Sequence, residues 1–114
     1  MGAQCCPMDT PDATTATVPV SRIVSLARAL ADETRLALLT LLTCYQQPLC
    51  VCHLVEHVPV GQPTVSHHLR ILREAGLVTV ERRGTWAYYA ATPLARQVLD
   101  DLGRLLTEPA TASA

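Results

Sequence analysis

Short helical segments with their own start and stop signals dominate the chain, and their order limits the folds that it can adopt. Apolar residues recur at the three- and four-residue spacing of an amphipathic helix from Val20 to Leu30. Asp32 is a favourable N-cap for a second helix that begins at Glu33. This second helix is apolar on nearly every side, so we expect it to be buried.

Two further helices are predicted in the middle of the chain. The apolar spacing indicates a short third helix that begins at Val51 and ends near Pro59. A fourth helix should begin at Pro63, because the fixed φ of proline suits a first helical turn. It should end before Gly76, because glycine suits the left-handed position that follows many helices.

The periodicity changes after the fourth helix. Apolar residues alternate on both sides of an Arg83-Gly84 turn, which predicts a β-hairpin with Trp86 and Tyr88 in its core. A fifth helix is then expected after a cap at Thr92. The predicted fold is mainly α with a β-hairpin wing: a winged helix-turn-helix of five helices and a two-stranded antiparallel hairpin.

The ends of the chain differ in composition from this central region. Residues 1–19 are rich in Thr, Pro and Asp and have no apolar period, so we predict a flexible N-terminal arm that carries Cys5 and Cys6. Residues 20–107 should form one winged helix-turn-helix domain for DNA binding and dimerisation, and residues 108–114 a disordered tail. The sequence has no apolar run of about 20 residues and no secretory signal pattern. We therefore expect a cytoplasmic protein without a membrane partner.

Basic residues are concentrated locally rather than in the whole chain. The formal net charge of −1 gives no general attraction for nucleic acid. Between Gln62 and Trp86, however, the sequence contains four arginines and only two glutamates, so this segment is locally basic. The fourth helix also turns a polar face outward, and the major groove of B-DNA admits one helix. His68, at the edge of this face, is expected to pack against the core. We predict DNA contacts from Thr64, Ser66, His67, Arg70 and Arg73 on this helix, and from Arg82 and Arg83 on the hairpin.

The five cysteines are an odd number in a chain without an export signal, which argues against a disulfide framework and for metal or redox chemistry. Cys50 and Cys52 cannot face each other in mid-helix, because residues i and i+2 point in different directions. We expect Cys50 at a helix cap and Cys52 in the first turn, where N–H groups lower the pKa of a thiol. Cys44 should be a buried structural thiol.

Four stretches resemble, in the right order, the ArsR/SmtB family of bacterial metal-sensing transcriptional repressors. They are "ALADETRLALLTLL", "LCVCHL", "PTVSHHLRILREAGLV" and "RRGTWAYY", and they cover roughly residues 22 to 90. The resemblance implies a homodimer joined through its first and last helices. It also implies that metal-free protein binds double-stranded operator DNA and that a toxic ion releases it.

The resemblance and the thiols together suggest the inducer. Thiolates select soft ions; trivalent arsenic or antimony takes three in a pyramid, whereas Cd(II), Pb(II) or Zn(II) prefers four. Cys50 and Cys52 are too few alone, and the chain from Cys6 to Ser21 reaches up to roughly 50 Å, so Cys5 and Cys6 could complete the site from either subunit. Adjacent sulfurs suit a pyramid better than a regular tetrahedron, which favours arsenite or antimonite over the four-thiolate alternative. Coordination of the ion should distort the first turn of the third helix away from helical geometry.

Two other functions of the cysteines are alternatives to ion sensing. A thiol redox regulator would oxidise Cys50 and Cys52, or Cys5 and Cys6, to a disulfide. A thiol enzyme is not expected, because no glycine-rich oxyanion cradle follows any cysteine.

A zinc site on the last helix, which some relatives have, is not expected either, since that helix contains Asp100 and Asp101 but no histidine. Arg96 on the same helix should belong to a solvated face.

Overall fold

The computed structural model describes residues 19–107, which contain five helices and a three-stranded antiparallel sheet. The predicted arm, except for Pro19, and the predicted tail lie outside the described residues. In chain order the elements are α1 (Val20–Leu30), α2 (Glu33–Cys44), β1 (Leu49–Cys50), α3 (Val51–Val55), α4 (Gln62–Glu74), β2 (Val78–Arg83), β3 (Trp86–Ala91) and α5 (Pro93–Thr107). The predicted winged helix-turn-helix is confirmed, with one strand more than expected. None of the described helices has the length and apolar character needed to cross a membrane.

The caps explain why the helices begin where they do. The Asp32 carboxylate accepts the backbone N–H of Arg35 at 3.4 Å and so caps α2 as predicted. The Thr92 hydroxyl likewise accepts the N–H of Ala95 at 3.2 Å at the start of α5. Helix α4 begins at Gln62, one residue earlier than expected.

Helix α3 is shorter than predicted, whereas α4 ends before a glycine as predicted. Helix α3 ends at Val55, four residues before the predicted end near Pro59. After α4, Gly76 has a φ of 82°, the left-handed conformation that favours glycine and turns the chain towards the sheet.

The sheet contains the predicted hairpin and a short additional strand. Strands β2 and β3 pair in antiparallel register around a turn at Gly84 and Thr85, and Gly84 has a φ of 66°. Strand β1 pairs with the other edge of β3, with Leu49 opposite Tyr89 and Cys50 opposite Tyr88. The sequence did not predict β1, because a strand of two residues is too short to show alternation.

The core lies where α2, α4 and the sheet meet. Its largest fully buried side chains are Leu38, Leu39, Leu42, Leu54, Val65, Leu69, Leu72, Leu77 and Val78. Helix α2 supplies three of these side chains but is not buried all round as predicted, since Leu36, Ala37, Thr40 and Cys44 are exposed. Cys44 is therefore an exposed thiol and not the buried structural one that we expected.

Several large apolar side chains are exposed. Trp86 has 52% of its surface exposed beside the wing turn, so the prediction that it belongs to the hairpin core is wrong. The others on α1 and α5 form two uncovered apolar stripes, and they are Val20, Ile23, Val24, Leu102, Leu105 and Leu106. Exposed apolar stripes on the first and last helices are typical of surfaces that another protein chain covers.

Candidate thiol metal site and nucleic-acid interface

Cys50 belongs to two elements at once. It is the second residue of β1 and the N-cap of α3, where its Sγ accepts the backbone N–H of Cys52 at 3.4 Å. The side chain is buried, with 4% of the residue exposed. The predicted placement of Cys50 at the cap and Cys52 in the first turn is confirmed.

The cap geometry brings the two sulfur atoms together. Cys52 is exposed, and its thiol donates a hydrogen bond to the Sγ of Cys50 at 2.8 Å. Two bonds of about 2.3 Å to one tetrahedral ion would place the sulfurs about 3.7 Å apart. The pair thus needs to open by only about 1 Å to hold an ion between its sulfurs.

The same contact changes the acidity of Cys52. The pKa of the Cys52 thiol is raised, mainly because that thiol donates a hydrogen bond to Cys50, with smaller contributions from desolvation and from the Cys50 charge. Backbone N–H groups of Cys52 and His53 lower the pKa of Cys52, as expected at a helix start, but these contributions are smaller. The prediction of a lowered thiol pKa is therefore wrong for Cys52. An ion that binds here must displace a proton.

At this site the described part of the chain supplies two sulfurs, those of Cys50 and Cys52, and no complete set of metal ligands. Among residues 19–107, no group of three or more His, Cys, Asp or Glu side chains is arranged to hold a metal ion. His57 is engaged elsewhere, because its Nδ1 donates to the carbonyl oxygen of His53 at 2.9 Å. Two soft thiolates fit a thiophilic ion but supply only part of its ligands. Cys5 and Cys6 lie outside them.

A second feature is the groove between α4 and the wing. Most of the predicted DNA-contacting side chains line it together with two residues that we did not predict, Pro63 and Tyr89. The predicted ones are Ser66, His67, Arg70 and Arg73 of α4 and Arg82 of β2. Thr64 is exposed near the start of α4 but does not line the groove.

Polar contacts order several of these side chains. Arg70 Nη2 lies 3.5 Å from Nδ1 of His67, so the two side chains share one side of α4. Arg83 is not free in solvent, because it donates to the Glu81 carboxylate at 3.2 Å and stacks over the Tyr88 ring. Tyr88 is partly buried and packs against the core as predicted, and its contact with Arg83 is an additional role that the alternation of β3 does not reveal.

Arg96 is exposed as predicted, but it also makes a contact that the sequence did not predict. It donates to the carbonyl oxygens of Thr43 at 2.7 Å and Tyr45 at 3.2 Å. These carbonyls lie in the last turn and at the C-cap of α2, so Arg96 joins α5 to the segment that leads to β1. His68 is packed as predicted, with 14% of its side chain exposed.

The fold and the groove together define a winged helix-turn-helix protein of the DNA-binding type. The family model described as "Bacterial regulatory protein, arsR family" matches residues 32–80. The arsenical resistance operon repressor of Escherichia coli (strain K12) is 37% identical over 93 residues, which are 78% of this chain and 79% of that one. The chain therefore belongs to the arsR family of bacterial regulatory proteins, and the relatives that it matches here are named as transcriptional regulators or operon repressors, not as enzymes.

Two further relatives extend the comparison. The arsenic resistance transcriptional regulator ArsR1 of Pseudomonas putida (strain KT2440) is 44% identical over 73 residues, or 64% of this chain. The matched region spans 56% of the length of that regulator. The solution structure of a homodimeric winged helix-turn-helix DNA-binding domain from Mycobacterium bovis has a TM-score of 0.66 and 25% identity, and covers 83% of this chain and 86% of its own.

Proposed function

We propose that this protein is a homodimeric repressor that binds operator DNA and leaves it when trivalent arsenic or antimony binds to its thiolates, which derepresses a resistance operon. The observation that carries the proposal is the pair of sulfur atoms of Cys50 and Cys52, 2.8 Å apart at the start of α3. The names of the arsenical resistance relatives point to the same inducer. The protein would act in the cytoplasm, where operator DNA and reduced thiols occur together.

The groove between α4 and β2 supports DNA binding. It presents three arginines and a histidine from two elements, and the whole chain has a formal net charge of only −1. Such a local basic surface suits phosphate and base contacts in one major groove. We assign contacts to the groove residues Ser66, His67, Arg70, Arg73 and Arg82, and to Thr64 and Arg83 beside it.

The apolar stripes of α1 and α5 support a dimer. Leu105 and Leu106 have 74% and 82% of their surfaces exposed, which is costly for side chains of this size in water. A second copy of the chain would cover these stripes and place two α4 helices in successive major grooves about 34 Å apart. The homodimeric structure from Mycobacterium bovis is consistent with this assembly.

Cys5 and Cys6 are proposed to complete the ion site. Trivalent arsenic or antimony needs three thiolates, so one of these two arm cysteines would suffice beside Cys50 and Cys52. A Cd(II), Pb(II) or Zn(II) site of four thiolates would use both. The thiolate selects a soft ion in either case.

The cap of α3 provides a physical reason for release. Cys50 Sγ accepts the N–H of Cys52 and the Cys52 thiol with the electron pairs that would bind an ion. Coordination therefore competes with the N-cap of α3, and it separates the sulfurs by about 1 Å. Because Cys50 is also paired with Tyr88, the displacement acts on the wing as well as on α3. By linkage, DNA must weaken ion binding by the same factor.

A thiol redox regulator is the second candidate, because the same 2.8 Å separation brings the Cys50 and Cys52 sulfurs within reach of one another for oxidation. The two candidates differ in their inducer. Fully reduced protein bound to operator DNA should release it with arsenite for the first function, and with peroxide but not arsenite for the second.

Serine variants test the ion site directly. Cys50→Ser and Cys52→Ser should bind operator DNA as the wild type does and should no longer release it with arsenite. Cys44→Ser is the matched control, because Cys44 is an exposed thiol in another element, and it should respond normally. Normal release by both Cys50→Ser and Cys52→Ser would place the site elsewhere and overturn the proposal. X-ray absorption of the arsenite and cadmium complexes would count the sulfur ligands.

A further inference from the structure

The guanidinium of Arg35 joins three helices at one point. Arg35 lies in the first turn of α2 with 15% of its side chain exposed. Its Nε donates to the carbonyl oxygen of Ala29 at 2.9 Å, and its Nη2 to that of Arg28 at 3.0 Å, both in the last turn of α1. Its Nη1 lies 3.1 Å from Nδ1 of His68 on α4. One planar group therefore contacts α1 and α4 from α2.

The contact with Arg35 determines which nitrogen of the His68 ring accepts a hydrogen bond. Since a guanidinium can only donate, Nδ1 of His68 must accept, and the neutral ring carries its proton on Nε2. That nitrogen lies 3.6 Å from the Asp32 carboxylate, which also lies 3.9 Å from Arg35 Nη1 and caps α2. Arg35, His68 and Asp32, which we call the three-helix cluster, have complementary charges and donors.

The cluster differs in kind from the apolar contacts around it. Packing of Leu69 and Leu72 holds α4 against the core but is not directional. The guanidinium has donors in a fixed planar fork, so its three acceptors must keep their mutual directions. It also reaches two carbonyls in the last turn of α1, of which that of Arg28 already accepts the N–H of the C-cap residue Ala31. A rotation of α4 relative to α1 would break the contact with His68 and leave Arg35 partly buried and underpaired.

We propose that Arg35, His68 and Asp32 are positioning residues that fix the direction of α4 relative to α1, and thereby the half-site spacing that the dimer recognises. The inference rests on the proposed DNA-binding function and on α1 as part of the dimer interface. A shift of one base pair moves a half-site by about 3.4 Å and turns it by about 35°, so the angle between α1 and α4 decides which spacing fits. None of the three residues lines the DNA groove.

The experiment distinguishes residues that position α4 from residues that contact DNA. The operator is a duplex that the wild-type protein selects from random DNA. Variants of this duplex have the half-sites one or two base pairs closer together or further apart, and a shorter fragment contains a single half-site. His68→Leu keeps apolar bulk but loses both polar contacts, so its affinity for the selected spacing should fall about tenfold. Its preference for that spacing should shrink, while its affinity for a single half-site changes less than about twofold.

His68→Gln is the matched control, because its amide can accept from Arg35 and donate to Asp32, and it should keep the spacing preference. Arg35→Lys is a second test that keeps the charge but cannot reach three acceptors, and it should behave like His68→Leu. Equal losses at every spacing and at the single half-site, or an unchanged spacing preference in both His68→Leu and Arg35→Lys, would overturn the inference. A wild-type protein that selects no duplex would overturn the DNA-binding proposal and this inference with it.

Discussion

Cys50 and Tyr88 are register partners across β1 and β3, and the ring of Tyr88 lies under the guanidinium of Arg83, with 4.7 Å from Cζ to the ring centroid. A single residue therefore connects the backbone of the thiol site with a basic side chain of the wing. A movement of Cys50 that disturbs this pairing changes the support of Arg83.

Replacing Tyr88 should weaken this connection. A cation–π contact at a partly exposed site contributes about 0.5–1 kcal/mol, or about two- to fivefold in affinity. We expect Tyr88→Leu to lower operator affinity by this factor without ion, and to reduce the ratio of affinities without and with arsenite. Titrations of labelled operator measure both, and Tyr88→Phe, which keeps the ring, should resemble the wild type. An unchanged ratio in Tyr88→Leu would argue against coupling through the wing.

The acidity of Cys52 gives a prediction that needs no ion. Its raised pKa leaves less thiolate at a given pH than an ordinary cysteine has, and the chief cause is the hydrogen bond to Cys50. Cys50→Ala removes the acceptor, so the pKa of Cys52 should fall and its alkylation by iodoacetamide near neutral pH should become faster. The pH profile of alkylation, followed by mass spectrometry of the Cys52 peptide, should shift to lower pH. Cys44→Ser should leave the profile in place; a profile that Cys50→Ala also leaves in place would contradict the hydrogen-bond origin.

Arg70 should contribute to DNA binding but not to ion binding. Loss of one such contact costs about 1–3 kcal/mol, so Arg70→Ala should weaken operator binding by roughly 5- to 150-fold. Arsenite affinity in the absence of DNA should be unchanged, because Arg70 lies in the groove and not at the thiols. Arg28→Ala is the control, since Arg28 is an exposed residue outside the groove and the variant keeps the carbonyl that accepts from Arg35. Equal losses in the two variants would point to general charge attraction instead.

The stripe on α5 should control dimerisation. Leu105 has 74% of its surface exposed, so Leu105→Glu should leave the fold of a single chain intact. We expect the variant to sediment as a monomer at concentrations where the wild type is a dimer, because association would bury the new charge. Tyr45→Glu, another exposed apolar position outside α1 and α5, should remain dimeric. A dimeric Leu105→Glu would exclude this part of α5 from the interface.

Local signals predicted most of the fold, because caps and periodicity act within a few residues. Asp32, Thr92 and Gly76 each occupy the position that their chemistry suggested. Strand β1 escaped prediction because it exists only through its pairing with β3. The exposure of Cys44 could not be read from α2, since a helix that is apolar on nearly every side does not show which face meets the core.

In the candidate site, too, local features were predictable from the sequence and contacts between distant residues were not. The cap position of Cys50 followed from the spacing of two cysteines and a helix start. The raised pKa of Cys52 depends on the direction of one thiol hydrogen bond, which spacing does not fix. The contacts of Arg35 with His68 and of Arg96 with Thr43 join residues 33 and 53 positions apart, so no local pattern contains them.

Strand β1 has only two residues, and it lies at the edge of the sheet. A strand of two residues has few backbone hydrogen bonds to lose, and the buried leucines of α2 and α4 lie outside it. A domain of this size has a total stability of only about 5–15 kcal/mol, so a large loss of packing would unfold it. An ion bound at Cys50, as proposed, would disturb this short edge and leave those leucines packed.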